Sequence, residues 1–364
     1  MENTRAEIME NTRAEIMNNS YPVAGEMKSL KKSSEPQKLP PTAVPELTYK
    51  CNHKCFFCSC PWEDDNSYKE NELSADQWKD VIDTLLSNGV EKFSLTGGEA
   101  STRDDIREII GYIARMRIPL NIISNGRSID DDFPDFLAEQ KVSICISVPG
   151  IDTFEAHTGI DNIGHVLSLF TKTKERGIDA TADITVTKKN LGELYENISY
   201  PLIYGADYIL LNRFLPGGRG LQNTAYLLTI DEVNEMLDIA EEILSKADRC
   251  GHVGTEMPLC AIKNPEKYKH IRIGTSCSAA KNFFVVDPSG YIKVCNHSPK
   301  RLCRYDEIEN LSTDPYWLSF VNRDYLPEMC RSCDKNDICD GGCREAAHVY
   351  AGSVNGKDPL FYNG

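Results

Sequence analysis

Cys51, Cys55 and Cys58 stand in the stretch CNHKCFFC, three thiols within eight positions, with Phe57 before the last. Thiolates are soft ligands that select zinc or iron–sulfur centres. The spacing Cys-x3-Cys-x2-Cys does not complete a tetrahedral zinc site, which pairs two short knuckles. Three thiolates on one loop suit three corners of a 4Fe–4S cubane, leaving the fourth iron open to a substrate or a chelating cofactor. The competing reading is a zinc knuckle completed by His53 or Cys60. A second set of cysteines lies towards the C-terminus, in CSAAKNFFVVDPSGYIKVC (Cys277 to Cys295) and CRSCDKNDICDGGC (Cys330 to Cys343). Its spacing is Cys-x12-Gly-x4-Cys, a gap, then Cys-x2-Cys-x5-Cys-x3-Cys. A zinc ribbon is the alternative for this set, because paired Cys-x2-Cys knuckles serve both metals.

The rest of the composition narrows the setting. The chain has 364 residues, 41 % apolar and 26 % charged, as in a soluble globular protein of two or three domains. No apolar run reaches the ~20 residues that span a bilayer. The first residues lack the basic-then-apolar order of a signal peptide, so a cytoplasmic location is expected. A net charge of −15 argues against general binding to nucleic acid or an anionic membrane. Fourteen cysteines in a reducing compartment read as metal ligands rather than disulfides.

These residues need elements to hold them. Residues 1–42 read as a flexible polar arm containing a tandem MENTRAEI repeat to which no function is assigned. From Ala43 short apolar runs alternate with helical periods. Strands are expected at AVPELTY, KFSLT (Lys92 to Thr96), LNIIS (Leu120 to Ser124), VSICISV (Val142 to Val148), TADITV (Thr181 to Val186) and DYILLNR (Asp207 to Arg213). Ser74 with Gln77, and Thr229 with Glu232, are capping boxes that start helices. The alternation predicts an α/β fold with a parallel sheet, a partial, open (β/α)6 TIM-type barrel over residues 43–222. A helical linker is expected over 223–270 and a small cysteine-rich domain over 271–364. FVVDPSGYIKVC reads as a hairpin that delivers cysteines at its ends. The first cysteine loop follows the first strand, at the mouth where such barrels carry chemistry.

With Phe57 before Cys58, the triad resembles the Cys-x3-Cys-x-aromatic-Cys loop of the radical S-adenosylmethionine (SAM) superfamily. The resemblance implies that the methionine amine and carboxylate of SAM chelate the open iron. It also implies that SAM is cleaved to a 5′-deoxyadenosyl radical that abstracts a substrate hydrogen. LTGGEA, ending the second strand, is similar to the family's Gly-Gly-Glu motif. Gly97 and Gly98 would let backbone pass close to a ligand, and Glu99 would accept from the SAM ammonium. By the same resemblance Ser124 and Asn125, ending the third strand, Ser147, ending the fourth, and Arg213, opening RFLPGGRG, are candidate SAM contacts. The serines read equally as caps and Arg213 as a structural ion pair. Cys145 reads as a small buried side chain.

The C-terminal spacing resembles the SPASM extension of radical SAM peptide maturases, anaerobic sulfatase maturases and some small-molecule dehydrogenases. It implies one or two auxiliary 4Fe–4S clusters. The proximal cluster would use Cys277, Cys295 and Cys343, with Cys303 or Cys260 as the fourth ligand. The distal cluster would use Cys330, Cys333 and Cys339. Its customary last cysteine is replaced by Phe361, leaving Asp358, His348 or an open position. The leading function implied is crosslinking or maturation of a ribosomally made precursor peptide. Formylglycine formation on a sulfatase, and dehydrogenation or epimerisation of a small molecule in antibiotic biosynthesis, are the alternatives. A reductant such as flavodoxin or ferredoxin is implied. The short segment before the first strand leaves no room for a leader-binding domain, so a separate leader-binding partner or direct peptide capture is expected.

Overall fold

A computed structural model describes residues 39–60 and 71–362. The N-terminal arm, apart from its last four residues, lies outside them. Six parallel strands appear where the alternation placed them: β1 (Thr42–Pro45), β2 (Lys92–Leu95), β3 (Leu120–Ser124), β4 (Ser143–Ser147), β5 (Ala180–Val186) and β6 (Tyr208–Arg213). They lie side by side in chain order, each crossover returning through a helix. These helices are α1 (Ala75–Ser87), α2 (Ile106–Ala114), α3 (Phe133–Gln140), α4 (Phe154–Thr158), α5 (Ile163–Glu175) and α6 (Leu194–Tyr204). Both capping boxes form, that of Ser74 and Gln77 opening α1 and that of Thr229 and Glu232 opening α7 (Ile230–Ala247). Each satisfies two of the donors a helix start leaves unpaired.

The helices bury one stripe each against the sheet. In α1 this is Ala75, Trp78, Val81, Ile82 and Leu85; in α2 it is Ile106, Ile109, Ile110 and Ile113. The i, i+3, i+4 spacing is what turns one apolar face to the sheet. Along β5 the alternation is strict. Ala180, Ala182, Ile184 and Val186 are buried among the core, while Thr181, Asp183 and Thr185 take the other face.

The sheet does not stop at six strands. Two three-residue strands, β7 (Gly251–Val253) and β8 (Ile271–Ile273), continue it in parallel beyond β6. At the other edge the predicted hairpin forms from β9 (Phe283–Val286) and β10 (Ile292–Lys293). Asp287 closes its turn, one carboxylate oxygen accepting from Ser289 N at 2.9 Å and Tyr291 N at 3.0 Å. The same β9 pairs in parallel with β1, Thr42 opposite Phe283 and Pro45 opposite Val286. The result is one open sheet of ten strands, ordered β10-β9-β1-β2-β3-β4-β5-β6-β7-β8. Three short helices follow, α8 (Pro315–Val321), α9 (Glu328–Arg331), which contains Cys330, and α10 (Arg344–Ala351), which Cys343 precedes.

Candidate cofactor site and cysteine clusters

The loop bearing Cys51, Cys55 and Cys58 leaves β1 and is held on three sides. Lys54 N donates to Thr158 O at 2.9 Å and Phe56 N to His157 O at 3.1 Å, tying the loop to α4. From beyond β6, Gly220 N donates to Cys58 O at 3.1 Å, Arg219 Nη1 to Cys55 O at 3.0 Å and Asn223 Nδ2 to Phe56 O at 3.1 Å. The Phe56 ring packs 4.9 Å from His157 and 5.0 Å from Tyr226. The glycines of LPGGRG serve this docking. A Cβ on Gly218 would stand 2.2 Å from Cys60 O, so only glycine lets the two loops meet.

The third contact is the Gly-Gly-Glu segment. Gly98 N donates to Thr48 O at 2.7 Å and Glu99 N to Lys50 O at 2.8 Å. A Cβ on Gly97 would lie 2.5 Å from Thr48 O, and one on Gly98 2.3 Å from Lys50 O. The two glycines therefore admit the chain's own backbone next to Cys51. Glu99, buried, gathers the residues that sequence placed at separate strand ends. It accepts from Ser124 Oγ at 2.8 Å, Asn125 N at 2.6 Å and Ser101 Oγ at 2.6 Å. Burial pushes its carboxyl above the ordinary range, against the pull of those donors. Asn125 Nδ2 approaches Cys51 Sγ at 3.8 Å and Asn52 Oδ1 at 2.8 Å. His53 N donates to Cys51 Sγ at 3.4 Å. Amide donors turned towards that sulfur suit a thiolate held on iron. The His53 ring itself is buried edge-on to Phe154, and burial lowers its pKa to about 4.

Ser147 and Arg213 stand at the ends of later strands, β4 and β6. Ser147 ends β4 opposite Asp183 of β5. Asp183 accepts from Asn212 Nδ2 at 2.8 Å, and burial raises its pKa to about 6. This inward pair was missed in sequence, where an Asp and an Asn at alternating positions of two strands carry no distinguishing mark. Arg213 is buried and pairs with Asp358 at 2.6 Å, while also donating to Glu256 O at 2.9 Å. Its carboxylate partner thus comes from this chain. Asp358 is fully employed: it also accepts from Cys343 N at 2.8 Å and Leu360 N at 2.9 Å. His348 is engaged with Tyr316 at 2.8 Å and Glu345 at 3.0 Å.

The outer cysteines fall into two neighbourhoods. Cys277, Cys295 and Cys343 are buried. Burial raises all three thiols, and an ionised Cys343 would raise the other two further. A buried thiol resists ionising until a cation supplies the missing charge, which is the setting a cluster provides. Cys330, Cys333 and Cys339 stand in the second neighbourhood. Among the described residues no three His, Cys, Asp or Glu side chains converge to hold a single metal ion. A cubane spreads its thiolates around its own iron and sulfide atoms, so its ligands need no such convergence. Cys303 is perturbed by burial and by Glu307, Asp314, Glu309 and Asp306. Cys145 is buried within β4.

A cavity of about 370 Å³ lies beside the first cysteine loop, lined by Ser59, Cys60, Gly217, Gly218, His297 and Val349 among others. Its walls come from the core, from LPGGRG and from the C-terminal segment. Burial holds His297 neutral, with a pKa lowered to about 4.

Comparison with known proteins agrees with this arrangement. A PqqA peptide cyclase of Granulibacter bethesdensis is 26 % identical over 331 residues, covering 86 % of this chain and 85 % of its own. In fold, the chain resembles Streptococcus suis SuiB bound to the precursor peptide SuiA, with TM-score 0.69 and 16 % identity. That match covers 98 % of this chain and 86 % of SuiB. It also resembles anSMEcpe with bound AdoMet and the Kp18Cys peptide, with TM-score 0.69, 17 % identity and coverage of 89 % and 94 %. Residues 46–197, which hold the cysteine triad, Glu99 and the strand ends gathered around it, match the Radical SAM superfamily.

Proposed function

We propose that this chain is a radical SAM peptide maturase that forms a crosslink within a ribosomally made precursor. The similarity to a peptide cyclase along most of both chains carries the reading. The cavity shared by the first cysteine loop and the C-terminal segment supports it, since it has room for a substrate side chain between the two. Cys51, Cys55 and Cys58 would hold the cluster, and Glu99, Ser124 and Asn125 would face SAM. Bound together, these groups supply reductive cleavage of SAM and hydrogen abstraction from the substrate. The protein's own part is positional. Glu99 fixes the ends of β2 and β3 relative to each other, and the contacts from α4 and LPGGRG hold the cysteine loop against them. Cys277, Cys295 and Cys343 would hold a proximal auxiliary cluster suited to taking an electron from the substrate in a net oxidation. The SPASM-type segment is assigned to residues 271–364, with 43–222 as the catalytic core. A flavodoxin or ferredoxin in the cytoplasm would deliver the electron. Among the described residues no helix is long and apolar enough to cross a membrane.

The test is co-expression with short peptides encoded beside the gene, read by mass spectrometry. A loss of two hydrogen masses in one peptide, absent with Cys55→Ala, is expected. Turnover of a sulfatase peptide or a small molecule, with every neighbouring peptide unchanged, would overturn the assignment.

A further inference from the structure

The distal set has three cysteines in sequence order and no fourth, because Phe361 occupies the customary place. The substitutes nearest in sequence have hydrogen-bond partners of their own. Both oxygens of Asp358 accept hydrogen bonds, one of them within the buried pair with Arg213, and the Nδ1 of His348 is held by Tyr316 and Glu345. A different cysteine comes from the segment that follows β7. Cys260 lies in the short turn Leu259–Ala261 that follows β7. The amide before it, Leu259 N, donates to Cys339 Sγ at 3.4 Å.

The same sulfur accepts from Gly341 N at 3.4 Å, and Cys333 Sγ accepts from Lys335 N at 3.4 Å. A Cβ on Gly341 would stand 2.9 Å from Cys330 Sγ, so this glycine leaves space at that sulfur. Backbone amides aimed at two cysteine sulfurs in one small region are the usual surroundings of an iron–sulfur cluster and tune its potential.

We propose that Cys260 is the fourth protein ligand of the distal cluster, completing a set of Cys260, Cys330, Cys333 and Cys339. The ligand missing after Asp358 is replaced by one that precedes the other three by some seventy positions and is brought in by the β7–β8 extension. The distal cluster is then fully ligated by protein. It has no open iron for substrate, which suits electron transfer rather than direct substrate binding. This inference rests on the auxiliary-cluster reading above.

Iron content and Mössbauer spectra of anaerobically reconstituted protein test it, with no activity measurement required. Wild type should hold about twelve irons, four for each of three cubanes. Cys260→Ala should lose about four of them, or convert one cubane to a three-iron form, and Cys330→Ala should give the same spectrum. Cys260→Ser should keep the iron with one site shifted towards oxygen ligation, which separates ligand loss from misfolding. Cys250→Ala, a half-exposed cysteine outside both sets, should match wild type. Unchanged spectra in Cys260→Ala, in a protein whose wild type holds all three clusters, would overturn the assignment alone. A wild type holding only about four irons would overturn the auxiliary clusters and this ligand with them.

Discussion

Gly98→Ala adds one methyl group at the point where the Gly-Gly-Glu segment meets the cysteine loop. That carbon would stand 2.3 Å from Lys50 O, 2.7 Å from Lys50 C and 2.9 Å from Tyr49 O, all of them backbone atoms. Ordinary contact requires ~3.5 Å, so one segment must retreat by about 1 Å. Retreat stretches the bonds from Gly98 N to Thr48 O and from Glu99 N to Lys50 O. Two weakened backbone bonds cost about 1 kcal/mol each. Overpacking adds about 1–3 kcal/mol, for a total of roughly 3–5 kcal/mol. The displacement falls beside Cys51, so the first cluster should suffer as well as the fold. Anaerobic unfolding by urea should show the stability loss, and absorbance with iron content should show a cluster lost or bound substoichiometrically. Gly111→Ala is the contrast: it lies in α2, its added Cβ meets nothing within 4 Å, and it should stabilise by up to ~1 kcal/mol. A Gly98→Ala protein with wild-type stability and a full first cluster would refute the claim that these glycines seat the loop.

Two further outcomes follow from buried groups. Asp358→Asn leaves Arg213 charged and buried without its counter-ion, which should cost about 3–5 kcal/mol in urea unfolding; adding Arg213→Met to Asp358→Asn should recover much of that. A loss below about 1 kcal/mol in the single variant would show that the pair is dispensable. The second concerns acid. His157 is buried and its pKa is lowered to about 4, chiefly by burial, with Nδ1 at 2.9 Å from Thr153 O and Nε2 at 3.0 Å from Thr187 Oγ1. The unfolded chain then binds the extra proton between about pH 6.5 and 4, so stability is full above that window and falls as the pH drops through it. The ceiling for this residue is about 3 kcal/mol, and His157→Gln should flatten the acid limb of the unfolding midpoint against pH. An unaltered limb would assign it to other groups.

What could be read from residues alone were the features carried by short periods. Alternation in LNIIS and TADITV placed β3 and β5, and the two capping boxes opened their helices where Ser74 and Thr229 stand. The cysteine triad was legible because its three ligands share one loop. Features made by distant segments were not legible. GHV and IRI are too short to show a period, so β7 and β8 became evident only beside β6. Nothing in FFVV says that it will pair with β1, because register depends on the partner's edge. Arg213 meets a carboxylate 145 positions away, a distance at which no local pattern reports. The glycines of LPGGRG make room for a cysteine loop that lies more than 150 positions earlier, which no local pattern reports either.

The pairing of β1 with β9 also sets an order of events during synthesis. The chain emerges N-terminus first, and non-local strand pairs close late. β1 acquires β2 as a neighbour early, yet its second edge stays bare until Phe283 to Val286 have left the ribosome. The loop that hangs from β1, with Cys51, Cys55 and Cys58, therefore lacks its finished support through most of translation. Iron loading of the first cluster is best served after release. A truncation that ends before β9 would expose an open strand edge next to three reactive thiols, a combination that favours aggregation and oxidation.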